Sequence, residues 1–359
     1  MSETGARSEA TSAVRVPALR LREFVAAVFV KTGLPAGDAA RCAELMVAAD
    51  ARGADGHGVF RLPQYVKRIA SGGINLRPDI RLIEDHPASA VLDGDNGMGH
   101  LVMTKAAHVA IEKARASGAG WVGVRYSNHA GPASLYASMP LAEDMIGVYI
   151  AIGNANHMAP WGGVELLLST NPIAVAVPTL THPPVVLDMA TSVAAYGKVK
   201  RKVQDGEMLP EGWMIDAHGA PLTDPGRVSE GSLLPIGGPK GYGLAFVIGL
   251  LAGTLNGAAF GRDVVDFNSD SVSVTNTGHA ILALDVKRFM PVDEFKRRVD
   301  LVIDQVVTST PREGGPPIRV PGAHAAEIEA ESRRSGVALA PAVLDQLRRL
   351  ADEWGVEPL

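Results

Sequence analysis

Apolar periodicity changes character twice along this 359-residue chain, and that segregation most limits what it can fold into. Residues 1–85 and 286–359 carry helical spacing, whereas residues 86–285 hold short β-branched runs bounded by proline and glycine. Leu19 to Thr32 reads as an amphipathic helix stopped at Gly33, and Asp38 is expected to cap a second helix running to about Ala51. In the middle, Ala88–Leu92, Trp121–Arg125, Ile146–Ile152, Ile173–Val177, Val185–Leu187 and Ala280–Leu284 read as strands. Helices are expected at Met103–Ser117, around Ser134–Glu143 and at Gly241–Leu255. Val292–Val307, Ala325–Arg334 and Pro341–Trp354 close the chain as helices, with Pro341 in a first turn, where a proline is tolerated. The pattern predicts an α+β protein: a helical domain formed by both chain ends around an inserted sheet domain.

The N-terminal helical pattern breaks at Arg52-Gly53-Ala54-Asp55-Gly56-His57-Gly58 and resumes through Arg61-Leu62-Pro63-Gln64-Tyr65. If the chain is helical there, His57, Arg61 and Tyr65, at steps of four, share one face. Glycines around His57 permit close approach of a ligand to the backbone. Arg61 offers a planar fork to a carboxylate, with a surface ion pair as the alternative. Tyr65 has sheet packing as its alternative.

Charge and cysteine content remove several function classes. A net charge of −5 without a basic stripe argues against nucleic acid, and Lys198 to Lys202 reads as a solvated face. Cys42 is the only cysteine, so neither an intrachain disulfide nor a multi-cysteine zinc site can form. Met1 to Val16 is polar, flexible in composition and lacks a secretory pattern. Leu244 to Phe260, interrupted by glycines, is too short for a good membrane span and reads as a buried helix. A cytoplasmic protein with no membrane partner is expected.

Other stretches sit where chemistry is usually carried. Ser127-Asn128-His129-Ala130-Gly131-Pro132 and Asn154-Ala155-Asn156-His157 follow strands. Asp188-Met189-Ala190-Thr191-Ser192 ends one, where a carboxylate can orient an imidazole or cap a helix. Gly237-Gly238-Pro239-Lys240-Gly241-Tyr242-Gly243 precedes a helix, an arrangement that suits a diphosphate or carboxylate, or a bare glycine turn. No Gly-x-Gly-x-x-Gly follows a strand and no Walker-type Gly-Lys-Ser/Thr occurs. Any nucleotide is therefore bound without the Rossmann turn.

Taken in order, these pieces resemble the malate/L-lactate dehydrogenase family that is unrelated to Rossmann-type enzymes and includes ureidoglycolate and sulfolactate dehydrogenases, diketogulonate reductase and piperideine-carboxylate reductase. The resemblance rests on Ala51-Arg52-Gly53 with His57-Gly58-Val59 and Arg61-Leu62-Pro63, on Asn128-His129-Ala130-Gly131, on Pro160-Trp161-Gly162-Gly163, on Thr170-Asn171-Pro172, on Asp188 to Ser192, and on Pro239 to Gly243. It spans about residues 17–325.

The resemblance implies a non-Rossmann, largely antiparallel sheet domain binding NAD or NADP, and a homodimer whose site shares elements of both subunits. It places the catalytic proton donor at His57, oriented by Asp188, with Arg61 and Tyr65 by a small carboxylate substrate. His129 lies nearby and takes the acid/base role in some members. Asn171, Asp188, Met189, Ala190, Lys240, Gly241 and Gly322 are expected along the cofactor, and no metal is implied. Three departures stand out: Gly56 replaces a serine before the histidine, Ser169 a glycine, and Ala323-His324 a polar residue after Gly322.

The expected reaction interconverts a small 2-hydroxy acid and its 2-oxo acid, with His57 titrating near its ordinary value of roughly 6.5. The alternatives are reduction of a C=N bond in a cyclic imine carboxylate, a catalytically silent homologue, and a metal-dependent lyase or hydrolase with His57, His129 and Asp188 as ligands.

Overall fold

The structure is a computed structural model that describes residues 13–204 and 206–359. The sequence expectation of a flexible start at Met1 to Val16 lies mostly outside them. Along the chain the strands are β1 (Val14–Val16), β2 (Arg81–Asp85), β3 (Ser89–Asp93), β4 (Ala119–Ser127), β5 (Met145–Ala151), β6 (Asn156–Met158) and β7 (Leu168–Ser169). They continue with β8 (Ile173–Val177), β9 (Val185–Met189), β10 (Met214–Ile215), β11 (Ser232–Leu233), β12 (Thr277–Asp285) and β13 (Val337–Leu339). The helices are α1 (Ala18–Lys31), α2 (Ala36–Ala51), α3 (Leu62–Ala70), α4 (Gly99–Ser117) and α5 (Ser134–Ala137). The rest are α6 (Tyr196–Gln204), α7 (Pro239–Ala252), α8 (Val292–Val307), α9 (Ala323–Ser335) and α10 (Pro341–Trp354).

Two compact units result, one of residues 1–66 with 327–359 and one of residues 67–326. The first is helical. The apolar stripe Leu21, Phe24, Val25, Val28 and Phe29 of α1 is buried, at the three-and-four spacing of a core-facing helix. β1 pairs antiparallel with β13, Val14 opposite Leu339, so the two chain ends are joined by backbone bonds. Asp38 does not cap α2. The cap position is Pro35, and Asp38 lies inside the first turn, where its charge still suits the helix dipole.

The second unit is built on a seven-stranded sheet of order β2-β3-β4-β12-β5-β8-β9. Only β3 and β4 run parallel; every other pair in it is antiparallel. A smaller sheet of order β10-β11-β6-β7 lies in the same unit. Residues 81–85, read with the helical end of the sequence, belong here because they pair with β3. Helix α8 belongs here too: its Asp300 accepts from the N–H groups of Leu180 (3.1 Å) and Thr181 (2.8 Å). The expected single helix around Ser134–Glu143 divides into α5 and a 3₁₀ turn, with Pro140 opening the turn.

Helix α7 departs from the buried-helix expectation. Its small face, Gly241, Ala245, Ile248, Gly249 and Ala252, is buried, whereas Leu244, Phe246, Val247, Leu250 and Leu251 are exposed. Uniform apolarity was read as all-round burial, but only the small face can approach the sheet closely. Among the described residues no helix is long and apolar enough to cross a membrane.

Close approach of α4 to the sheet is set by glycine: a Cβ at Gly120 of β4 would sit 2.1 Å from the Ala110 carbonyl oxygen. Gly120→Ala is therefore expected to cost about 1–3 kcal/mol through forced displacement of α4. Urea unfolding checks this as a lower midpoint at unchanged slope.

Candidate active site

In the first unit the chain does not run helically from His57 to Tyr65. Asp55–His57 and Val59–Arg61 are separate 3₁₀ turns, interrupted at Gly58, and α3 begins only at Leu62. The shared helical face expected from the sequence is thus replaced by three short elements. His57 and Arg61 are nevertheless neighbours: burial and the Arg61 cation lower the His57 pKa to about 4, against a smaller opposing effect of Asp55. The expected titration near the ordinary imidazole value is corrected accordingly, and the resting imidazole is neutral. Arg61 is braced by donation from Nε to the Gly56 carbonyl, 3.0 Å. Tyr65 is fully buried, edge-on to Phe29 of α1 with ring centres 6.4 Å apart. Burial pushes its phenol upward, and its place is in the core.

The turn that follows His57 and carries Arg61 is fastened by Asp50, which the sequence reading missed. Asp50 Oδ2 accepts from the Val59 N–H at 2.8 Å. A Cβ on Gly58 would meet the Asp50 carboxyl at 2.2 Å, so glycine is needed there. Burial raises the Asp50 pKa to about 8, with the Val59 bond opposing and Asp55 adding to the rise. Gly53 is required as well, with φ +77° and a Cβ position 2.7 Å from Ile328. Arg52 pairs with Glu329 at 3.2 Å.

In the second unit the loop after β4 carries His129, which is buried. Asn128 anchors it by donating to Asn96 O (3.0 Å), Asn96 Oδ1 (2.9 Å) and Gly97 O (3.0 Å). The Tyr136 hydroxyl donates to Ala130 O. Asp188, at the end of β9, accepts from the Ser134 N–H at 2.8 Å, so it is tied to the same loop region. Protein atoms packed around its carboxyl raise its pKa, and the Ser134 bonds oppose that rise.

The residues expected along a cofactor gather around the end of β9 and the start of α7. Ile236 N–H donates to Thr191 O (2.9 Å) and Thr191 N–H to Thr170 O (3.0 Å). These bonds bring Asp188, Met189 and Ala190 beside the turn that holds Lys240 and Gly241. Val186 N–H donates to Pro321 O at 3.1 Å, and Gly322 (φ +87°) packs on the Val186 backbone. Gly238 has φ +64° and lies under the Trp161 ring, 3.2 Å from its Cβ position. At Gly241 a Cβ would fall 2.0 Å from Ile236 O. A helix start with no side-chain cap among the described residues, and an exposed Lys240, fits an anionic diphosphate.

Asn171 differs from its expected part. It is fully buried, accepts from Gly153 N–H (3.2 Å) and donates to Ala245 O (2.8 Å), so its amide clamps α7. Ser169, one of the departures, donates to Gly153 O (2.9 Å) and Asn156 Oδ1 (3.0 Å) and is absorbed by the loop. Gly56 has open space where a Cβ would stand. Among the described residues no three His, Cys, Asp or Glu side chains come together as a metal-holding group.

The sequence model of malate/L-lactate dehydrogenase matches residues 16–348. The chain belongs to that family. It is 41% identical over 355 residues to a malate dehydrogenase of Pyrococcus abyssi, covering 96% of each. It is 38% identical over 338 residues to an L-sulfolactate dehydrogenase of Methanocaldococcus jannaschii, covering 93% of this chain and 96% of that enzyme. The solved structure of malate dehydrogenase from Pyrococcus horikoshii superposes with a TM-score of 0.89 at 36% identity, covering 100% of both chains. A more distant relative, 32% identical over 277 residues (77% of this chain, 81% of the enzyme), is a Pseudomonas putida reductase of pyrroline- and piperideine-2-carboxylate. The chain is thus an oxidoreductase of the dehydrogenase type, and the family implies a nicotinamide cofactor.

Asp50 has a consequence for stability. Its folded pKa of about 8 exceeds the ordinary 3.8, so the folded state keeps a proton that the unfolded chain releases between those values. Stability contributed at low pH is therefore lost as pH rises through that window and is level beyond it. Asp50→Asn removes that dependence, and its melting temperature relative to the parent is expected to climb from pH 5 to 8 and then plateau.

Proposed function

We propose that this protein interconverts a small 2-hydroxy acid and its 2-oxo acid, with His57 as the acid/base group and Arg61 holding the substrate carboxylate. The observation that carries this reading is an imidazole kept neutral beside a braced guanidinium, on two successive 3₁₀ turns joined at Gly58. The residues that would hold a nicotinamide dinucleotide are those of the β9–α7 cluster, and the cofactor would supply the ring that accepts or returns a hydride. His57 takes the proton of the C2 hydroxyl as the C–H bond is broken, and neutral imidazole is the form that can do so. Arg61 pairs with the carboxylate and fixes C2 against rotation.

Burial is the larger cause of the lowered His57 pKa, and the bound carboxylate offsets the smaller one, the Arg61 cation. Substrate binding thereby makes protonated His57 accessible for the reverse reaction, in which it returns the proton to the carbonyl oxygen. Lys240 and the first N–H groups of α7 hold the diphosphate in this reading, with either NAD or NADP. The C=N reading draws support from the Pseudomonas relative, but the malate and sulfolactate dehydrogenases cover more of the chain at higher identity. The compartment we assign is the cytoplasm, in keeping with a single, buried thiol at Cys42.

A homodimer built on α7 belongs to the same proposal. Five large apolar side chains exposed on one helix are unusual for a monomer surface. Light scattering should give twice the 37.6 kDa chain mass, and Val247→Asp should return the chain mass.

The reaction is tested with a panel of 2-oxo and 2-hydroxy acids, both nicotinamide cofactors, and 2-oxo acids with and without amine. His57→Gln is expected to lower turnover about 10²–10⁴-fold. Oxidation kcat/KM should stay level near neutrality and fall only on an acid limb near pH 4, while reduction kcat/KM should decline steadily above it. Near-parental turnover in His57→Gln, with the loss appearing in His129→Asn, would move the acid/base role to His129.

A further inference from the structure

Arg68, on α3, is fully buried, an expensive place for a permanent cation. Its hydrogen bonds run to backbone carbonyls: Nη1 to Asp270, and Nη2 to Gly73 (3.1 Å) and Ser273 (2.8 Å). Its Nε is buried without a hydrogen-bond partner among the described residues. The guanidinium carbon stands 5.0 Å from the ring centre of Phe267. Phe267 in turn stands 5.4 Å, centre to centre, from the imidazole of His129, with the planes 34° apart. Its backbone N–H donates to Asn154 O at 2.8 Å, so the ring is fixed at its root as well as by its neighbours.

We propose that Arg68 is a positioning residue for His129, acting through Phe267. The proposal rests on the proposed function together with the placement of His129 near the substrate that the family resemblance implies, whether or not it outranks His57 as the acid/base group. A planar guanidinium can lie against a phenyl ring and still direct its N–H fork to carbonyls on two segments. A lysine keeps the charge but has neither the plane nor the fork. Phe267 then transmits the constraint through ring contact, since its ring and the imidazole lie within the separation at which aromatic pairs attract. The backbone on either side of His129 is held by the Asn128 amide and by the Tyr136 bond to Ala130. Those contacts set where the loop runs, and Phe267 adds a contact to the imidazole itself.

A purely structural Arg68 would tie the 270–273 loop to the Gly73 turn and nothing more. The two cases separate in the imidazole NMR signals of His129, assigned by their loss in His129→Asn. Phe267→Leu removes the ring current, and Arg68→Lys lets the ring shift, so both are expected to move those signals, while Phe267→Tyr should leave them near the parent. With a hydroxy acid substrate identified by the panel, both variants should lower kcat about tenfold to a hundredfold with little change in KM. Their effects should be less than additive in the double variant, since both act on one ring. Lower melting temperatures with His129 signals and kcat unchanged would overturn the proposal. Displaced signals with unchanged kcat, together with an active His129→Asn, would instead overturn the reading of His129 on which it rests.

Discussion

Backbone pairing along β12 holds the second unit together. Without it the large sheet would be two pieces, β2-β3-β4 and β5-β8-β9, because β12 is the strand that pairs with both β4 and β5. The candidate site depends on that join. His129 leaves from β4 on one side, Asp188 ends β9 on the other, and the Ser134–Asp188 bond closes the span between them. A register slip of β12 by one residue would turn its inward side chains outward and separate the two loops. Gly278 permits this strand to lie close to α7, since a Cβ there would fall 2.2 Å from the Ala252 carbonyl oxygen.

Much of this was legible because local rules and the fold agree. Ile173–Val177, Val292–Val307 and Pro341–Trp354 form with the ends that periodicity and proline placement indicated. The α+β class followed from the change in apolar periodicity, and the largely antiparallel sheet and family membership from the ordered motifs. Of the motifs expected along a cofactor, Asp188–Ala190 at the end of β9 lie beside the turn that opens α7 with Lys240 and Gly241, whereas Gly322 packs near the start of β9 on Val186.

What was not legible depends on partners distant in sequence. Strands β6, β7, β10 and β11 have two or three residues each and carry no period to read. Val14–Val16 becomes a strand because β13 is available more than 300 residues later, a pairing no local window contains. Asn171 looked like a ligand contact but spends its amide on Gly153 and Ala245. Asp50 and Arg68 lay inside helical patterns as ordinary charged residues, and nothing nearby marks a burial that tertiary packing imposes. The helical face drawn through His57, Arg61 and Tyr65 failed because Gly58 breaks the helix to admit the Asp50 carboxyl. The His57–Arg61 proximity survived through a different backbone path.

Gly56 illustrates how a departure from the family pattern can be weighed physically. A serine there would meet open space, so its absence is not enforced by packing. What residue 56 does contribute is its carbonyl, which receives Arg61 Nε and so braces the cation that lowers the His57 pKa. That contribution comes from the backbone and is independent of the side chain at 56. In the proposed reaction a neutral resting imidazole needs no hydroxyl to remove a proton from it before it acts as a base. Neither the bracing of Arg61 nor the neutral imidazole depends on a serine at 56, so the departure does not by itself argue for a silent homologue.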